Sequence, residues 1–184
     1  MLRNDRHRYG AVAQLFHWVI AALILFQFGL GWYMEDLPMG PRKFDLYQLH
    51  KSMGLTIFGL AVLRLGWRLY SPAPPLPASL ARWEQLAART SHALLYGLIF
   101  FQPIIGYLQS NAANFPIVLW GTVPIPAILP ENEALADALV VVHGYGALAL
   151  AIVALIHISA ALRHHLWLKD DVLRRMLPQT TTGP

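Results

Sequence analysis

His143 and His157 lie 14 residues apart in one apolar stretch that carries no formal charge between them. On a helix, 14 steps of about 100° fall about 40° short of four turns, so both imidazoles face one side, about 21 Å apart along the axis. A helix with an imidazole near each end can serve two flat cofactors stacked against it. Each cofactor then needs a second ligand at the same depth. His17, near the start of the first apolar run, matches His157; His50, at the start of the second, matches His143. Paired imidazoles with no cysteine or carboxylate beside them suit the two axial positions of a haem iron. Zinc would take four ligands, or three and a water. The chain has no cysteine at all, which excludes disulfides, iron–sulfur clusters and thiolate metal sites.

The remaining histidines are less pointed. His92 opens the third apolar run at the depth of the inner pair. It competes with His17 as a ligand, or it bonds a haem propionate, a quinone or a backbone group. His7 sits in the polar leader, and His164 and His165 lie past the last run. Each intramembrane histidine taken singly also has a plain reading, a neutral ring bonded to a neighbouring carbonyl; the set of five in or beside apolar runs is what points to chemistry.

The elements that must position these rings follow from composition. The chain is 56% hydrophobic and 13% charged, where a soluble domain carries about 25% charged residues. Such a chain cannot cover a water-facing surface, so its solvent is a bilayer. Leu15–Met34 is a run of 20 residues without a formal charge, long enough to cross a hydrocarbon core of roughly 30 Å. It is too long for a secretory leader and reads as a retained span. Further spans are expected at about 48–69, 91–110 and 137–162, giving one all-α domain over 1–184, an integral membrane four-helix bundle. A polar loop is expected at 35–47, a proline-rich break at 71–80, a short surface helix at Ala81–Arg89, a kink at Pro103, and a capping loop at 111–136. A basic amphipathic tail, RHHLWLKDDVLRRM, follows the last span. No internal repeat is visible. Glycines dot the spans, where they either admit a flat ring or mediate plain helix packing.

With four spans, both termini share a side with the 70–90 loop. That side holds eleven of the 14 basic residues; the other holds only Arg42, Lys43 and Lys51, beside six acids. The positive-inside bias places both termini in the cytoplasm. The formal charge of +4 is therefore a topology signal and implies no nucleic-acid partner.

These pieces resemble the bacterial cytochrome b561 family, in the wider group that includes cytochrome b subunits of nickel–iron hydrogenases. The likeness rests on LFHWVIA at 15–21, LHKSMGLTIFGLAVLRLGWRL at 49–69, PPLP at 74–77, TSHALLY at 90–96 and VVHGYGALALAIVALIHISAALRHHLWLKDDVLRRMLP at 141–178. It covers nearly the whole chain and weakens in the leader and at 111–136. It implies a multi-pass bacterial inner-membrane electron carrier with two haems b, whose iron ligands match His17, His50, His143 and His157. It also implies superoxide oxidation with ubiquinone as acceptor, the activity of a superoxide oxidase.

On that reading Lys51, with Arg42 and Lys43, steers the anion, against a net −3 on that face; Lys51 bound to a propionate is the equal alternative. Trp18, His164 and His165 are candidates for the quinone site, with interfacial anchoring as the plain reading of Trp18. A second reading is a cytochrome b anchor subunit exchanging electrons between the quinone pool and a periplasmic redox partner docked on the outer loops. A third is a histidine-lined metal transporter, which the lack of a mid-membrane carboxylate disfavours.

Overall fold

A bilayer offers no water to backbone N–H and C=O groups, so an apolar segment that enters it satisfies them internally as a helix. The computed structural model describes residues 1–77 and 80–178. Ala78 and Ser79 of the proline-rich stretch, and residues 179–184, lie outside the described residues. Among the described residues, four helices are long and apolar enough to cross a membrane: α1 (Ala11–Glu35), α2 (Pro41–Tyr70), α3 (Arg82–Ala112) and α4 (Glu133–Arg163). The only sheet among the described residues is the hairpin β1 (Ile117–Leu119) and β2 (Val123–Ile125), between α3 and α4.

Every helix begins earlier than its apolar run, because polar caps and first turns carry no hydropathy. Pro41 opens α2, where a missing N–H costs nothing, so the expected loop at 35–47 shrinks to 36–40. Asn132 caps α4 by accepting Leu135 N–H at 3.0 Å, a favoured N-cap pairing. Glu84 reaches back to Ala81 N–H at 3.0 Å. The separate surface helix expected at Ala81–Arg89 does not exist: it is the first turns of α3, which runs unbroken through Pro103.

The closest backbone approaches are α1 to α2, α2 to α3 and α3 to α4; α4 makes no comparable approach to α1 or α2. Halfway along the bundle, Ile20, Ile57, Ala61, Ile99 and Leu150 form a buried apolar layer. Ile57 and Leu150 each sit seven residues after a histidine, His50 and His143. The layer therefore separates the two expected depths. Leu25, Phe26, Leu155 and Ile156 face outward, as a lipid-contacting surface requires.

The two helical hairpins repeat each other, which the sequence reading missed. LILFQFGLG at 23–31 and LIFFQPIIG at 98–106 align, placing His17, Gln27 and Gly31 of α1 over His92, Gln102 and Gly106 of α3. In α2, Arg64 follows His50 by 14 residues; in α4, His157 follows His143 by 14. One bond recurs in both halves. Gln27 Nε2 donates to the His50 carbonyl at 2.9 Å, and Gln102 Nε2 donates to the His143 carbonyl at 3.0 Å.

The hairpin closes one end of the bundle, as expected of the 111–136 loop. Its turn places Trp120 and Gly121 at positive φ, 52° and 69°, the demand of a primed turn. Trp120 is held there by its N–H to Ser52 Oγ at 3.0 Å and its indole N–H to Thr56 Oγ1 at 3.2 Å. At the other end, α4 passes into a π-helical turn, His164–Leu168. The tail then returns to α1, where Trp18 Nε1 donates to the Met176 carbonyl at 2.9 Å. Arg175 binds the carbonyls of Arg6 and Pro75, tying leader, proline-rich stretch and tail together.

Removing the Ser52 hydroxyl should loosen the cap and leave the helices intact. Ser52→Ala is expected to cost about 1 kcal/mol and to speed deuterium uptake across 117–125, while α3 and α4 exchange as before. Unchanged uptake across 117–125 would mean that the cap does not depend on this bond.

Candidate cofactor sites between the helices

The five span histidines gather at two levels on either side of the apolar layer. At the capped end, His50 of α2 faces His143 of α4, with ring centres 6.2 Å apart and planes at 75°. At the end that carries both termini, His17 of α1 faces His157 of α4, with centres 6.3 Å apart and planes at 68°. His92 of α3 also approaches His157, at 5.2 Å. All five rings are half-buried.

These separations can be tested against a metal. With a metal–imidazole bond of about 2.0 Å and a ring centre about 1.1 Å behind the nitrogen, two imidazoles on opposite faces of one metal have centres about 6.2 Å apart. His50–His143 and His17–His157 meet that separation; His92–His157 is about 1 Å short of it. Both matching pairs span from α4 to α1 or α2, the helices its backbone does not closely approach. Among the described residues, no three or more His, Asp or Glu side chains gather as metal donors.

Leftover polar atoms point the same way. The Nδ1 atoms of His50 and His143 and the Oε1 atoms of Gln27 and Gln102 are buried with no partner among the described residues. Such atoms are rare in folded proteins and ask for an explanation. An iron bound at Nδ1 would satisfy that atom directly, and one bound at Nε2 would leave Nδ1–H a donor in need of an acceptor.

The model of the prokaryotic cytochrome b561 family matches residues 8–179. The chain is 37% identical over 181 residues to cytochrome b561 homolog 2 of Escherichia coli (strain K12), covering 97% of this chain and 96% of that protein. It is 28% identical over 175 residues to a probable superoxide oxidase CybB of Yersinia pestis, covering 94% and 97%. It is also 28% identical over 172 residues to cytochrome b562 of Cereibacter sphaeroides, covering 88% and 89%. The chain belongs to the prokaryotic cytochrome b561 family. It is a membrane-embedded electron-transfer protein of a family that binds b-type haem.

In this cytochrome the glycines divide into two groups. A Cβ at Gly31 or Gly106 would meet the rings of His50 or His143, at 3.8 and 3.2 Å, and a Cβ at Gly54 or Gly146 would meet Gln27 or Gln102. Gly106 and Gly146 make room for the Gln102–His143 pair, whereas a side chain at Gly31 or Gly54 would meet its neighbour at ordinary contact distance. A Cβ at Gly29, Gly59, Gly97 or Gly144 would meet nothing within 4 Å.

The other candidate residues are scattered. Trp18, with Gln14, Leu15 and Leu177, lines an open apolar groove of about 650 Å³ between α1 and the tail. His164 and His165 do not line it. His164 is buried, with Nδ1 2.5 Å from Asp170 Oδ2 and Nε2 3.9 Å from Glu84 Oε1. His165 Nδ1 is buried with no partner among the described residues. Lys51 Nζ binds the Phe115 carbonyl at 3.1 Å and sits over the Phe115 ring. Lys43 Nζ binds the carbonyls of Glu35 and Leu37, and Arg42 binds the Tyr33 hydroxyl.

The sequence reading overlooked Gln27, Gln102 and Arg64. The shared pattern of His, Gln ten residues on and Gly four further would have found the first two.

Because a Cβ at position 106 would press on His143 Cε1, Gly106→Val should displace that ring. Haem bound per chain is expected to fall by up to one equivalent, measured as pyridine haemochrome on purified protein. Full haem content with an unchanged spectrum would show that the ring has room to move.

Proposed function

We propose that this cytochrome holds two haems b, one between His50 and His143 and one between His17 and His157. It would carry electrons from a donor at the capped face to ubiquinone near the face of the termini. The observation that carries the proposal is the pair of imidazole separations, 6.2 and 6.3 Å, reached twice on one helix at residues 14 apart. When bound, each haem would supply a one-electron couple, with the paired histidines as the residues that would hold it.

The donor we favour is superoxide. Two superoxide anions each lose one electron and leave as dioxygen; ubiquinone takes both electrons and two protons and leaves as ubiquinol. The likeness to a probable superoxide oxidase supports this donor. The apolar groove beside Trp18 has the wall a quinone ring or its tail would need. The excess of basic residues on the side of the termini supports placing the termini in the cytoplasm, in the inner membrane, with superoxide arriving from the periplasm.

A second reading has one specific support. Trp120, Val123 and Ile128 of the cap are exposed, a surface on which a periplasmic redox protein could dock. The isolated chain separates the two, since oxidising superoxide needs no second subunit.

Purified protein is expected to carry two low-spin haems b. His143→Ala and His157→Ala should each remove one. Because the ring planes cross at 75° and 68°, the oxidised protein should give the highly anisotropic electron paramagnetic resonance signal of crossed imidazoles. Haem-free protein from haem-replete cells, or alanine variants that keep both haems, would sink the proposal. Superoxide that leaves the oxidised haems unreduced in the isolated chain would sink the choice of donor alone.

A further inference from the structure

Half-buried Arg64 and exposed Arg68 lie at the end of the bundle that carries the termini, and among the described residues neither is paired with a carboxylate. Both lie on one face of α2, four residues apart, with guanidinium carbons 5.3 and 5.5 Å from the centre of the same Tyr96 ring. Like charges at that spacing repel, and the half-buried Arg64 has given up part of its hydration without a counter-charge.

Their surroundings supply donors. Arg64 Nη2 stands 3.2 Å from His17 Nδ1, and Trp67 Nε1 is buried without a partner among the described residues. Arg64, Trp67 and Arg68 line one small cavity with Tyr9 and Tyr96. If His17 binds a metal through its other nitrogen, its Nδ1 carries a proton. Two donors would then face each other with no acceptor between them. The repeat sharpens the point: the positions of α4 that correspond to Arg64 and Arg68 are His157 and Ala161, so only the first hairpin carries the cations.

We propose that this cleft takes a carboxylate of the haem held near His17 and His157, with Arg64 as the positioning residue that binds it and raises the potential of that haem. The inference rests on the dihaem reading above. A cation in contact with the cofactor's carboxylate stabilises the reduced form, which carries one positive charge fewer. Removing Arg64 leaves that carboxylate uncompensated, so the electron is held less tightly. A lipid phosphate would satisfy the same donors, and the test separates the two.

The experiment is an optical redox titration of the full-length holoprotein, wild type, Arg64→Gln and Arg64→Lys, in neutral detergent and again in nanodiscs containing an anionic phospholipid. In Arg64→Gln one of the two haem transitions is expected to move down by tenfold or more in its reduction equilibrium, about 59 mV for one electron. The other transition should stay, Arg64→Lys should shift less, and the result should be the same in both media. Two unmoved transitions would overturn the role of Arg64 while leaving the dihaem reading standing. A shift seen only with anionic lipid would assign the cleft to a phosphate and overturn the carboxylate. If Arg64→Gln retains one haem, Arg64→Lys decides: two haems support a role for the charge, one haem overturns it. Wild-type protein without haem would sink the underlying reading and this inference together.

Discussion

An imidazole nitrogen inside a bilayer has no water to bond, so it must find a protein group or a ligand. Five such rings in one small bundle set the terms for everything around them. The glutamines Gln27 and Gln102 occupy the carbonyls of His50 and His143. Gly106 and Gly146 give the His143 ring and the Gln102 amide their space. What the protein leaves unmet, Nδ1 of His50 and His143, is on the rings themselves. A helix bundle built only for packing would have no reason to keep these groups in lipid, where they cost more than any leucine would.

The repeat of the two hairpins explains how four helices come to hold two levels of histidine. At the capped level the facing rings, His50 and His143, are equivalent positions of the two halves, so the arrangement is symmetric. At the level of the termini, equivalence would set His17 with His92 and Arg64 with His157. The ring separation that fits a metal instead joins His17 to His157, which are not equivalent. The symmetric level needed one histidine per hairpin. The other needed the halves to diverge, with an arginine kept in one and an imidazole in the other.

How much of this was legible in the chain depends on what kind of signal each feature leaves. The four spans follow from apolar runs near the length of a bilayer, and the two-level arrangement of His143 and His157 follows from helical periodicity alone. The helix starts at Pro41, Arg82 and Glu133 were not legible as such, because first turns at a membrane surface are polar and look like loop. The single helix from Arg82 to Ala112 was read as two pieces for the same reason. The pairing of His17 with His157 at a workable distance, and the closeness of His92, depend on how α1, α3 and α4 rotate about their axes, which hydropathy does not record. Gln27 and Gln102 were invisible singly, since a lone glutamine in a span has many plain uses; only their common spacing from a histidine and a glycine marks them.

The two levels differ also in charge, and the difference matters for a carrier. Lys51, the cation beside His50, is bound outward to the Phe115 carbonyl and ring at the cap. Arg64 instead stands at the ring nitrogen of His17, deeper in the bundle and beside a second arginine. Coulomb interactions between partly buried groups are weakly screened compared with those at the surface. Two cofactors of one chemical type, placed at these levels, would therefore sit in unequal fields. Equal sites would share an electron evenly; the inequality favours the electron on the side of the termini, the side on which the groove beside Trp18 opens.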